Sequence, residues 1–199
     1  STLMFKKIPF KLLDNVKQEK IIDILKTKKY MAIWFMFFAN ISCGLAFIAN
    51  EAPMLRTFGF GMVAISIISS MSSVFNSLGR FGFAALSDWK GREYAYFVIF
   101  GLSIIACLFN LSYVPVIFVI ALMMINMGYG GGFSALPALI TKHYGISKTS
   151  TIHGLTLSAW GIAGLVGPML ANVLSYQSLL FVLAGIYGIS LISVKKFVR

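Results

Sequence analysis

Apolar residues fall along this chain in long runs. They do not alternate as in a half-buried strand, nor do they form the narrow stripe of a helix on a soluble core. Crossing a bilayer takes about 20 residues at a rise of 1.5 Å each. Six runs reach that length: 30–50, 62–86, 94–112, 114–140, 152–174 and 178–194. The third and fourth are divided only by a turn from Ser112 to Pro115. The pattern predicts an all-α, polytopic membrane protein with six transmembrane helices. Residues before the first run read differently. Leu13, Val16, Ile21, Ile24 and Leu25 share a broad helical face among lysines, which fits either a helix on the membrane surface or a solvated linker.

Composition removes the soluble alternatives. Of 199 residues 58% are apolar and 12% charged, about half the charge of a soluble domain. Eight lysines and three acids precede Tyr30, so residues 30–199 hold only 12 charges. That number cannot clothe a soluble surface. Cys43 and Cys107 both lie inside apolar runs, where they act as small fillers rather than a disulfide framework. The first 29 residues have no apolar core and no small-residue cleavage site, so no signal peptide is read there. Ser1 fits either a removed initiator methionine or a chain cut from something longer.

A net charge of +11 in a soluble protein would suggest a nucleic-acid partner. Here the placement of the charge argues for membrane topology instead. Segments 1–29, 87–93, 141–151 and 195–199 carry 15 basic residues, whereas 51–61 and 113–114 carry only Arg56. The basic side is expected to be cytoplasmic, with both termini on it and the chain in the cell membrane. No nucleic acid is expected as a partner.

Inside the spans one charge stands out. Arg80 lies about 10 Å from the nearer helix end at helical rise, and an arginine at such depth is costly. Its side chain either snorkels to the headgroups, with Asp88 drawing it that way, or faces an internal aqueous cavity and binds an anion. The second reading rests on chemistry. A guanidinium matches a carboxylate with a planar fork, and Glu51 and Asp88 sit at span ends, leaving no acid within the spans to neutralise Arg80. Asn76, one turn earlier on the same face, adds a donor and an acceptor. In the fourth span Gly128, Gly130, Gly131 and Gly132 permit close helix contact or local unwinding, and Tyr129 and Phe133 share a face that could line a cavity. The fifth span is rich in small residues. Its one large exception, Trp160, is either a cavity wall or a lipid contact.

Enzyme chemistry finds little support. The glycine run lacks the strand and lysine of a phosphate loop. His143 and His153 have no cysteine or acid cluster nearby, so no metal or other cofactor is expected. Gly132-Phe-Ser134 resembles the nucleophile of rhomboid-type intramembrane serine proteases, which need a histidine in the sixth span. Residues 178–194 contain none.

Three stretches carry a broader likeness. Asn76–Glu93 (NSLGRFGFAALSDWKGRE) resembles the loop after the eighth span of major facilitator superfamily transporters, with Asp88, Gly91 and Arg92 in the pattern. Trp89 stands where a basic residue is usual and Ala84 where glycine is common. Gly128–Gly145 and Gly154–Pro168 look like the tenth and eleventh spans of oxalate/formate antiporter-like carriers, relatives of monocarboxylate transporters. The resemblance implies that the six helices are one half of a major facilitator fold, spans seven to twelve. Residues 1–29 become the basic cytoplasmic linker, 30–194 the transmembrane bundle and 195–199 the cytoplasmic tail. It implies secondary transport of a small organic anion by alternating access, by exchange or proton coupling, with Arg80 on the substrate carboxylate. Asn76 stands where the monocarboxylate branch often has an aspartate, and Trp160 where the oxalate-exchanging branch has a second cation. One cation favours a singly charged carboxylate over oxalate. The expected partners are the anion, membrane lipid, and an amino-terminal six-helix half or a second copy. The basic linker favours a fragment of a twelve-span carrier. A non-transporting membrane subunit or remnant is the alternative.

Overall fold

A computed structural model describes residues 21–198. The first 20 residues and Arg199 lie outside it, and with them most of the basic linker and part of the candidate surface helix. The chain opens with a short helix α1 (Ile21–Leu25), whose Ile24 is buried. Thr27 caps the next helix, α2 (Lys28–Ile48), its hydroxyl accepting from the Tyr30 N–H at 3.2 Å. Ala49 and Asn50 interrupt the helical path, which resumes as α3 (Glu51–Thr57). There follow α4 (Met62–Lys90), α5 (Arg92–Phe109) with a tight turn at Asn110–Ser112, and α6 (Pro115–Tyr144) with proline at its start. The fifth span is α7 (Ile146–Thr156) continued through Leu157 into α8 (Ser158–Val173). Ser175 caps α9 (Tyr176–Ser193), and a last wider turn covers Val194–Val198. Six helical stretches are long and apolar enough to cross a membrane, and no strand occurs among the described residues.

The apolar runs mark the spans, but the helices outrun them. Residues 141–151, read as a loop, are helical except for Gly145, and α4 continues through Asp88 to Lys90. Hydropathy reports where a helix is apolar, whereas Lys and Arg extend a helix readily once it is nucleated. Single glycines with positive φ make these corners: Gly91 at 112° and Gly145 at 79°. Nothing lies within 4 Å of a Cβ built on Gly91, so its constraint is purely backbone. Gly91→Ala should lower stability by about 1–2 kcal/mol through that φ alone, read as an earlier thermal midpoint.

Helix α6 is the centre of the bundle. Its glycine run does not unwind, because each missing side chain is filled by a neighbour. A Cβ on Gly130 would strike the Asn76 carbonyl of α4, one on Gly131 the Phe83 ring, and one on Gly132 the Asn40 amide of α2. Ser103 and Ile99 of α5 press on Gly128, while Gly79 of α4 meets the Met127 carbonyl. Backbones approach closely and polar side chains then bridge them: Tyr96 Oη donates to Gly132 O at 2.7 Å, and Asn40 Nδ2 to Gly128 O at 3.3 Å. Trp34 Nε1 on α2 donates to Ser158 Oγ on α8 at 3.0 Å.

Cys43 and Cys107 are free thiols inside this packing, at 0% and 1% exposure. Neither should react with a water-soluble thiol reagent until the protein is denatured. Rapid labelling of either in the folded protein would contradict the packing of α2 and α5.

Not every face is covered. Along α4 Val63, Ile67, Val74, Leu78 and Phe81 are exposed, and along α8 so are Leu165, Met169 and Val173.

Candidate functional site

The geometry starts with Arg80 on α4. Helical side chains lean toward the N-terminus of their helix, and Arg80 follows: its Nε donates to Asn76 Oδ1 at 3.3 Å. This direction leads away from Asp88, which pairs instead with Arg92. Arg80 therefore does not turn toward that end of the helix. Among the described residues the ion pairs join Arg92 to Asp88 and Lys142 to Glu93, and none involves Arg80.

Arg80, itself exposed, and Asn76 line an open cavity of about 600 Å³ between α4, the α2–α3 break and α6. The Arg80 guanidinium carbon is 5.9 Å from the centre of the Phe133 ring. Phe133 in turn meets Tyr129 at 5.4 Å and the Trp160 ring edge-on at 6.1 Å. Trp160 is 49% exposed. Tyr129 fits because Gly44 on α2 has no side chain: a Cβ there would stand 2.5 Å from the tyrosine ring. Helices α4, α6 and α8 thus join Asn76, Arg80, Phe133, Tyr129 and Trp160 in one chain of contacts, of which only Asn76 and Arg80 line the cavity itself.

Several cavity groups escaped the sequence reading. Ser69, Ser72, Ser73 and Ser77 line it beside Asn76 and Arg80. Their spacing of three and four residues places them on one face of α4, a polar stripe visible in the sequence once that helix is drawn. Asn126 adds a further amide from α6.

Glu51 is the larger correction. Its place in the sequence puts it at a span end, out of reach of Arg80. The break at Ala49–Asn50 instead folds it against the middle of α4, where it is 7% exposed and accepts from Ser72 Oγ at 2.9 Å. An acid therefore does share the cavity with Arg80, without pairing to it.

Asp88, Gly91 and Arg92 lie elsewhere, at the joint between α4 and α5. The Arg92 guanidinium bonds both Asp88 and, at 3.1 Å, Ser87 Oγ, while the Gly91 N–H closes the last turn of α4 on Ser87 O. Beside the joint, Glu93 holds Lys142 Nζ at 2.7 Å and His143 Nε2 at 3.1 Å, tying the start of α5 to the end of α6. Ser134, the residue resembling a protease nucleophile, donates its hydroxyl to Gly131 O of its own helix at 3.0 Å.

An arginine without an ion-pair partner among the described residues thus lines an open cavity in a chain of six apolar spans. The chain is similar to a membrane transporter of the antiporter class. That relative is the oxalate:formate antiporter of Oxalobacter formigenes, 25% identical over 148 residues, which is 73% of this chain and 35% of the antiporter. The chain thus spans about a third of the relative's length. No family model matches the chain.

Proposed function

We propose that this chain is the carboxyl-terminal half of a twelve-span carrier of the major facilitator type, in the oxalate/formate antiporter-like branch. It moves a small organic anion by alternating access, through exchange or proton coupling. In this reading residues 1–29 are a cytoplasmic linker, 30–194 correspond to spans seven to twelve, 195–199 form a cytoplasmic tail, and both termini face the cytoplasm. The observation that carries the reading is Arg80, a permanent cation without an ion-pair partner among the described residues, on a cavity of about 600 Å³. A fixed charge in an apolar bundle is best satisfied by a partner that arrives, and a carboxylate matches its fork.

Arg80 and Asn76 hold the carboxylate, while Tyr129, Phe133 and Trp160 supply an aromatic wall. Binding and release need no covalent step and no cofactor, so the protein is not an enzyme. Carriers of this kind rock two halves about a site near the midplane. The exposed apolar faces of α4 and α8 fit a partner half, or a second copy, set against the open side of the cavity. The Asp88–Gly91–Arg92 joint serves as the conformational hinge between α4 and α5.

The test is counterflow with the native protein in lipid vesicles. Labelled butyrate should accumulate transiently when the vesicles are preloaded with unlabelled carboxylate. Uptake no faster than in protein-free vesicles across a panel of small carboxylates contradicts the proposal. Intact mass of the native chain addresses the half-carrier claim separately, since a species about twice this length is expected.

A further inference from the structure

The cavity is chemically two-ended. Its Arg80 end offers donors: the guanidinium N–H groups and, because Asn76 Oδ1 is taken by Arg80 Nε, the Asn76 amide N–H₂. The other end offers acceptors. Ser73 uses its hydroxyl proton on the Ser69 carbonyl at 3.2 Å, leaving oxygen lone pairs free; Ser77 does the same on the Ser73 carbonyl at 3.0 Å, but beside Asn76 and nearer Arg80. Asn126 uses one amide N–H on Leu122 O at 3.1 Å, which leaves Oδ1 to accept and the second N–H to donate.

Beyond these sits Glu51, held by Ser72 at 2.9 Å, with a second carboxyl oxygen to offer. Ser72 and Asn76 are one helical turn apart, about 6 Å along α4. Among the cavity-lining residues Arg80 and Glu51 are the charged pair, with no ion pair between them. A buried carboxylate lining an apolar bundle is costly unless it has a use.

The geometry points to a ligand with a carboxylate at one end and a cationic or strongly donating group, such as an ammonium, about 4–6 Å away. Glu51 is the residue that sets this choice. It attracts a distal ammonium, tolerates a methyl group and repels a second carboxylate. The inference rests on the reading of Arg80 as the carboxylate-binding group and narrows its substrate class to short ω-amino or ω-hydroxy acids.

Three probes of nearly the same length separate the possibilities: β-alanine, butyrate and succinate carry an ammonium, a methyl and a carboxylate at the same far position. Each competes against radiolabelled butyrate for binding to the native protein in lipid. Expected affinities fall in the order β-alanine, butyrate, succinate, by about tenfold per step. Glu51→Gln should compress the series, weakening β-alanine and strengthening succinate by about tenfold each. Ser72→Ala keeps the acid but frees it, and should retain the order with smaller steps. It also serves if the Gln variant does not fold.

Equal affinity of the three probes for the native protein, or an unchanged series in Glu51→Gln, overturns the role of Glu51 while leaving Arg80 in place. Absence of any Arg80-dependent carboxylate binding overturns the anion reading itself, and this inference with it.

Discussion

Arg80→Gln is expected to reduce carboxylate uptake to the level of protein-free vesicles while leaving the protein inserted and monodisperse. The two halves of that outcome have different causes. Losing a charged hydrogen-bonding partner for a desolvated carboxylate costs about 2–5 kcal/mol, which corresponds to roughly 30-fold or more in affinity. Folding does not suffer, because Arg80 has no ion pair among the described residues, its hydrogen bond goes to Asn76, one turn away on the same helix, and its cross-helix contact is with the Phe133 ring at 5.9 Å. Removing an unpaired charge from an apolar bundle relieves a cost. Arg80→Lys keeps the charge but not the planar fork, and should be intermediate. Full uptake by the glutamine variant would remove Arg80 from the site. A misfolded glutamine variant would instead mean that Arg80 is structural.

Gly130→Ala is expected to damage the whole bundle. A Cβ at this position meets the Asn76 carbonyl oxygen, carbon and side-chain oxygen together, and backbone cannot swing aside as a side-chain tip can. Helices α4 and α6 must separate, at a cost of about 2 kcal/mol or more, and Asn76 moves with them, disturbing its bond to Arg80. The measurement is thermal stability in detergent with carboxylate binding on the same sample. Both should fall, whereas Gly185→Ala, where a Cβ meets nothing within 4 Å, should change neither. Equal tolerance at the two positions would mean that α4 and α6 are not packed backbone to backbone.

Much of this molecule is written in its pattern of apolar runs, because a bilayer forces a helix to satisfy its backbone internally and to be apolar for a fixed length. The same pattern says less where helices turn polar. Lys142 and Lys148 read as loop residues, yet both lie on helix, since a single glycine at 145 suffices for the corner. The glycine run announced close contact without saying with what. The folded protein sets Ser103, Asn76, Phe83 and Asn40 against Gly128, Gly130, Gly131 and Gly132.

At the candidate site, Arg80, Asn76, Tyr129, Phe133 and Trp160 were legible one by one from charge and size, and their meeting depends on three helices converging. The α4 serine stripe could have been drawn from spacing alone. Glu51 was harder to place. Its entry into the cavity follows from a break at Ala49–Asn50, four residues before Pro53, whose ring and missing N–H oppose helix through Ala49; the proline marks the break but not the side to which it turns the acid.

The most direct measurement of the central claim is chemical. Native protein in lipid is treated with phenylglyoxal, which modifies arginine, with and without saturating butyrate, and the peptides containing Arg56, Arg80 and Arg92 are quantified by mass spectrometry. A cavity that admits water and binds an anion at Arg80 predicts modification of Arg80 that butyrate slows about tenfold, with Arg56 and Arg92 unaffected. Modification of Arg80 at the same rate in the presence of butyrate would contradict the account.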